Sequence, residues 1–73
     1  MILTKNQKKV YVYVQKYIDR HGFSPTLTEI SKHMKFKYRS EAHIVIDKLC
    51  KLRLIKKNMK KKIRNLTIIK EKK

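Results

Sequence analysis

Catalysis and metal binding need clustered nucleophiles, acids or imidazoles, and this 73-residue chain scatters all three. Its three histidines, His21, His33 and His43, fall in separate segments with one distant thiol, Cys50, so no zinc-ligand spacing is present. The five acids include no obvious pair for proton transfer, and the single glycine, Gly22, leaves no glycine-rich loop to cradle a phosphate. No enzymatic activity, cofactor or metal is therefore expected. The chemistry that the chain does carry is cationic. It has 21 Lys and Arg against 5 Asp and Glu, a formal net charge of +16. So large an excess costs stability through self-repulsion and suits a polyanion: nucleic acid first, with a ribosome or an anionic membrane surface behind it. For any single lysine a solvated face is the better explanation, but it accounts less well for the whole set. From Lys51 to Lys73 the one acid is Glu71, so the positive field concentrates in the last third.

A second kind of chemistry, hydrogen bonding and apolar contact with base edges, is written between Ser40 and Leu52. At helical spacing, Ala42, Val45, Ile46, Leu49 and Cys50 share one face, and Ser40, His43, Ile44, Asp47 and Lys51 share the other. Ile44 lies in the middle of this second face, where a solvated helix places a polar group. A stray exposed apolar side chain or a packing contact would explain it; so would a thymine methyl group in a major groove. Ser40 and His43 can donate to base acceptors. Glu41 can accept from a cytosine amine, although complementing the positive end of the helix is the favoured role. Ser40, Glu41, His43 and Ile44 are thus the expected base contacts. Thr28, Lys37, Tyr38, Arg39, Lys51, Lys60, Lys61, Lys62 and Arg64 are the expected contacts to the DNA backbone.

The elements that must position these residues are short. Thr4 and Gln7 form a Thr-x-x-Gln capping box, so a helix should start at Lys5. Val10, Tyr13, Val14, Tyr17 and Ile18 keep helical spacing, and Gly22 suits a left-handed residue just past the end. Val10 to Val14 also reads as a β-branched and aromatic strand, but cap, stripe and stop agree on helix over a longer stretch. Val12 falls opposite the core stripe between Lys9 and Lys16, either as a lone surface valine or as a mark of self-association. Pro25 blocks a helix entering from upstream, and Thr26 with Glu29 caps a second helix carrying Ile30 and Met34. The helix over 40–52 follows a short turn containing Phe36. Leu54 to Lys57 and Ile63 to Ile69 read as two strands, with Leu66 and Ile68 facing the core; Asn58 can take a left-handed turn conformation in the basic loop between them.

The expected fold is mainly α with a small β-hairpin, a three-helix winged helix-turn-helix over 1–69 followed by a frayed basic tail, 70–73. In that architecture the last helix enters the major groove and the wing lies against the adjacent backbone or minor groove. One such domain fits the length, and its core must be small. Cys50 on the apolar face reads as a small buried hydrophobe in a reducing cytosol. The opening Met-Ile-Leu is too short for a signal peptide, and no apolar run approaches a membrane span, so a cytoplasmic protein with no membrane partner is expected.

From Leu3 to about Ile69 the order of residues resembles the N-terminal DNA-binding domain of the LexA repressor. Leu3-Thr4 and Gln7, then Val10, Ile18 and Gly22, then Pro25-Thr26 with Glu29-Ile30, Phe36, Ala42, Leu49 and Ile55 carry the likeness. The resemblance implies a bacterial, phage or plasmid transcription repressor that reads an operator half-site in double-stranded DNA. The family continues into a Ser-Lys self-cleaving and dimerising domain for which this chain has no residues. Where the family uses an Asn, an Ala and a pair of Glu for base contacts, this chain has Ser40, Glu41, His43 and Ile44, so the family's operator does not transfer. Lys35 and Arg53 stand where the family has glycines, at a cost of about 1 kcal/mol for Lys35 if it must be left-handed. A homodimer pairing two heads on a palindrome is the usual route to affinity. The alternative reading is a small winged-helix protein that binds another protein, as an adaptor or an inhibitor of a nucleic-acid-handling complex. RNA binding, with Phe36 and Tyr38 stacking on bases, is weaker because no aromatic and basic sheet surface is evident.

Overall fold

Helix α1 spans Lys5–His21, and both of its ends are specified locally. The Thr4 hydroxyl accepts from the Gln7 N–H at 3.1 Å, and the Gln7 carboxamide accepts from the Thr4 N–H at 3.1 Å. Two amides that a helix start would leave open are thereby satisfied. Gly22 stops the helix at φ 80°, its N–H reaching Ile18 O at 2.8 Å. No atom lies within 4 Å of where its Cβ would stand, so the left-handed backbone, not crowding, demands glycine. Helix thus prevails over strand at Val10–Val14, with Val10 and Val14 fully buried. Val12 is half-buried rather than exposed, because α2 flanks it on one side.

Helix α2, Leu27–Met34, repeats the device: the Thr26 hydroxyl accepts from Glu29 N–H at 3.1 Å and the Glu29 carboxylate from Thr26 N–H at 2.8 Å. Helix α3, Arg39–Lys51, starts one residue earlier than the sequence suggests, with Tyr38 in the capping position. Helices α2 and α3 end alike, without glycine. Lys35 at φ 59° and Arg53 at φ 61° take the left-handed position. Phe36 N–H then bonds Ser31 O at 2.9 Å and Leu54 N–H bonds Leu49 O at 3.0 Å, the six-to-one bond of a Schellman turn. Phe36 and Leu54 drop onto the core in the process, which explains why the geometry survives the unfavourable backbone at Lys35 and Arg53.

The computed structural model describes residues 3–58 and 64–69; Lys60, Lys61, Lys62 and Ile63 of the expected wing, and the tail 70–73, lie outside them. Strands β1, Ile55–Lys57, and β2, Leu66–Ile68, pair antiparallel with Ile55 opposite Ile68, Lys56 opposite Thr67 and Lys57 opposite Leu66. Period-two alternation turns Ile55 and Leu66 into the core and Lys56 and Thr67 to solvent; in the second strand, where Ile68 also packs partly against the core, this is the alternation expected from the sequence. Val10, Val14, Ile30, Ala42, Ile46, Leu49, Ile55 and Leu66 form one core drawn from all five elements. Cys50 packs half-buried against it, and burial pushes its thiol pKa up. The three helices and the antiparallel hairpin among the described residues make a winged helix-turn-helix.

Candidate nucleic-acid interface

With Ala42, Ile46 and Leu49 locked into the core, helical periodicity turns Ser40, His43, Ile44 and Lys51 outward, and all four are exposed. Ile44 is 67% exposed, and no described residue of the hairpin or of another helix covers it. His43 is oriented by Asp47 one turn on, its Nδ1 3.3 Å from Oδ2, which leaves Nε2 as the nitrogen available to an outside partner. Asp47 is the one carboxylate on this face, and the Lys57 ammonium sits 2.7 Å from its Oδ1. Hydrogen bonding from Lys57, with the nearby His43 and Lys51, holds the Asp47 carboxyl below its ordinary pKa of 3.8. The ion pair also ties β1 to α3. Glu41, assigned from sequence to a base contact or to the helix end, turns back: its Oε2 accepts from the Tyr38 N–H at 3.2 Å. That geometry serves the start of α3.

A concave surface between the start of α2, the outer side of α3 and the hairpin brings together Thr28, Arg39, His43, Lys57 and Arg64. The Thr26 cap takes the Glu29 amide, so Leu27 and Thr28 present the remaining first-turn N–H groups of α2 at its positive end. Lys37, Tyr38 and Lys51 stand outside this concavity. Lys37 Nζ lies 5.4 Å from the Tyr38 ring centroid in the turn before α3, and Lys51 is the last residue of α3, about two turns beyond Ile44.

Arg64 differs from the other expected backbone contacts in that its guanidinium, although about a third exposed, is bonded to other parts of the fold. Nη1 donates to Tyr17 Oη and to Ser24 O at 3.1 Å each, Nη2 donates to Glu29 Oε2 at 3.2 Å, and Nη1 lies 3.0 Å from Glu29 Oε1. The group also lies over the Phe23 ring, 4.8 Å from its centroid. Bonds to Tyr17 and Glu29 push the guanidinium pKa up. The Thr26 amide first, then Arg64 and Tyr17, hold the Glu29 carboxyl below its ordinary 4.5. Buried Ser24 completes the junction, its Oγ accepting from Leu66 N–H at 3.1 Å. Arg64 therefore fixes the returning strand to α1, to α2 and to the segment between them. Sequence reasoning missed this role, since its partners lie 35 to 47 residues upstream. Among the described residues no three His, Cys, Asp or Glu side chains are grouped to hold a metal, and no helix is long and apolar enough to cross a membrane.

Two capped helices set around a turn, an outward-facing third helix and a hairpin anchored beside it define a winged helix-turn-helix domain. Comparison with known proteins narrows the class. A sequence model of the LexA DNA-binding domain matches residues 1–61. LexA repressors of Thermosipho melanesiensis and Thermosipho africanus are each 37% identical to this chain over 68 residues, 93% of its length and 33% of theirs. The LexA repressor of Petrotoga mobilis is 37% identical over 49 residues, 63% of this chain and 24% of that protein. The chain belongs to the LexA DNA-binding domain family, and it spans about a third of the length of the curated relatives it matches.

Proposed function

We propose that this chain binds double-stranded DNA sequence-specifically as the reading head of a transcription repressor, with α3 in the major groove and the hairpin against the neighbouring backbone. The observation that carries this reading is the outer face of α3: an isoleucine 67% exposed, flanked by Ser40 and His43, on a helix whose opposite side is locked in the core. Ile44 meets a thymine methyl, while Ser40 and His43 Nε2 meet base acceptors. The amides of Leu27 and Thr28 at the start of α2 take a phosphate, as helix N-termini do. Lys37, Tyr38, Arg39, Lys51, Lys60, Lys61 and Lys62 contact further phosphates, which fix register without carrying sequence. Two heads on a palindrome multiply the affinity of one. Selection from a random duplex pool tests the reading: enrichment of one short motif is expected, and a pool that stays random after selection contradicts it.

A further inference from the structure

A second basic surface lies away from the reading face, in the groove between α1 and α2, and it shares no residue with the concavity beside α3. Its rim is Lys5, Lys8, Lys9, Lys16 and Lys35. None of these lysines has an ion-pair partner among the described residues. Its floor is largely apolar: half-buried Val12 and Met34 flank Tyr13, whose ring stacks on His33 with centroids 4.0 Å apart and planes 10° apart. The α1 lysines from Lys5 to Lys16 cover about 16 Å at 1.5 Å per residue, the length of about three helical turns.

We propose that this groove docks an acidic amphipathic segment of a partner protein, its carboxylates on the lysine rim and its apolar side chains on Val12, Tyr13 and Met34. Charge complementarity selects the occupant. A second copy of this chain would set lysine against lysine. Duplex DNA would satisfy the rim through its phosphates but bring nothing to the apolar floor. Single-stranded nucleic acid binds through successive bases on successive free ring faces; here Tyr13 is stacked on His33, and the rings that follow it, Tyr17, His21 and Phe23, pack against one another outside the groove. The proposal does not depend on DNA reading by α3, so either can fail without the other.

The test uses the full chain, isotopically labelled, at about 0.15 M salt, where charges beyond about 8 Å are screened. The probe is a synthetic peptide of about 12 residues with Leu at helical spacing between Glu residues; the comparator is polyglutamate of equal charge. Amide shifts are expected along α1 and at His33 and Met34, with the amphipathic peptide binding about tenfold or more tighter than polyglutamate. Val12→Ser should narrow that ratio, and Lys9→Glu should weaken the peptide, both without changing the melting midpoint or the affinity for a selected duplex by more than about twofold. Saturating duplex should leave the peptide bound. Equal affinity for the two peptides, displacement by duplex, shifts centred on Ser40, His43 and Ile44, or tighter binding of a single-stranded oligonucleotide in the groove would each overturn the proposal.

Discussion

Leu49 and Ile44 are apolar residues of one helix, less than two turns apart, and truncating each to alanine should give opposite results. Leu49 is 0% exposed and sits where α3 meets the core. Its truncation removes buried methyl groups and leaves a cavity that rigid neighbours fill only partly, a loss of about 2–5 kcal/mol. At roughly 0.05–0.15 kcal/mol per residue, a 73-residue chain has about 4–11 kcal/mol in total, so this one change consumes a large share of it. With about 4–8 °C per kcal/mol for a domain of this size, the melting midpoint should fall by about 8 °C or more. Ile44, 67% exposed, has little packing to lose, and alanine's better helix propensity returns a few tenths of a kcal/mol, so its midpoint should stay within about 3 °C of wild type. Circular dichroism melts of the three proteins decide the matter. Matching midpoints for the two variants, or the larger fall in Ile44→Ala, would show that α3 is packed by the wrong face.

Three further outcomes follow from single features. Lys35→Gly should raise stability by about 0.5–1 kcal/mol, read as a higher melting midpoint, because φ 59° strains a residue with a Cβ; a lower midpoint would refute the left-handed cap. Glu29 and Asp47 titrate below their ordinary 4.5 and 3.8, so the unfolded chain takes up protons first as pH falls. Their contribution is whole above those values and drains away as pH drops through the folded pKa; stability should decline on acidification below about pH 4.5, and less steeply in Glu29→Gln. If about six phosphates are neutralised, the affinity for duplex DNA should fall roughly a thousandfold between 50 and 200 mM salt, and a flat response would remove phosphate contact from the account.

Local signals carried the sequence reading a long way, and non-local ones bounded it. Thr4 with Gln7 and Thr26 with Glu29 name their own partners three residues away, which is why two helix starts are legible to the residue. The same holds for Gly22, and for the apolar period that orients α3. Lys35 and Arg53 were legible as left-handed through the resemblance alone, since neither residue type prefers that conformation. The site proved harder. Arg64 counted as one more cation in a basic stretch, yet it also bonds Tyr17, Glu29 and Ser24. No periodicity announces a guanidinium that crosses the fold. Asp47 reads as an acid on the outer face of α3, but Lys57 from the hairpin neutralises it, a contact set by strand register. Val12 is half-buried beside α2 rather than fully exposed, a tertiary effect that a helical wheel omits.

The central claim, that the outer face of α3 reads base sequence, is tested most directly by competition between a selected duplex and a scrambled one of equal length at fixed salt. Wild type, His43→Ala and Ile44→Ala are compared. Each substitution should cost about 1–3 kcal/mol on the selected duplex, a loss of roughly 5- to 150-fold, and leave scrambled-duplex affinity and the melting midpoint nearly unchanged. Specificity would then collapse while general DNA binding persists. A selected-to-scrambled ratio identical to wild type in both variants would contradict the claim.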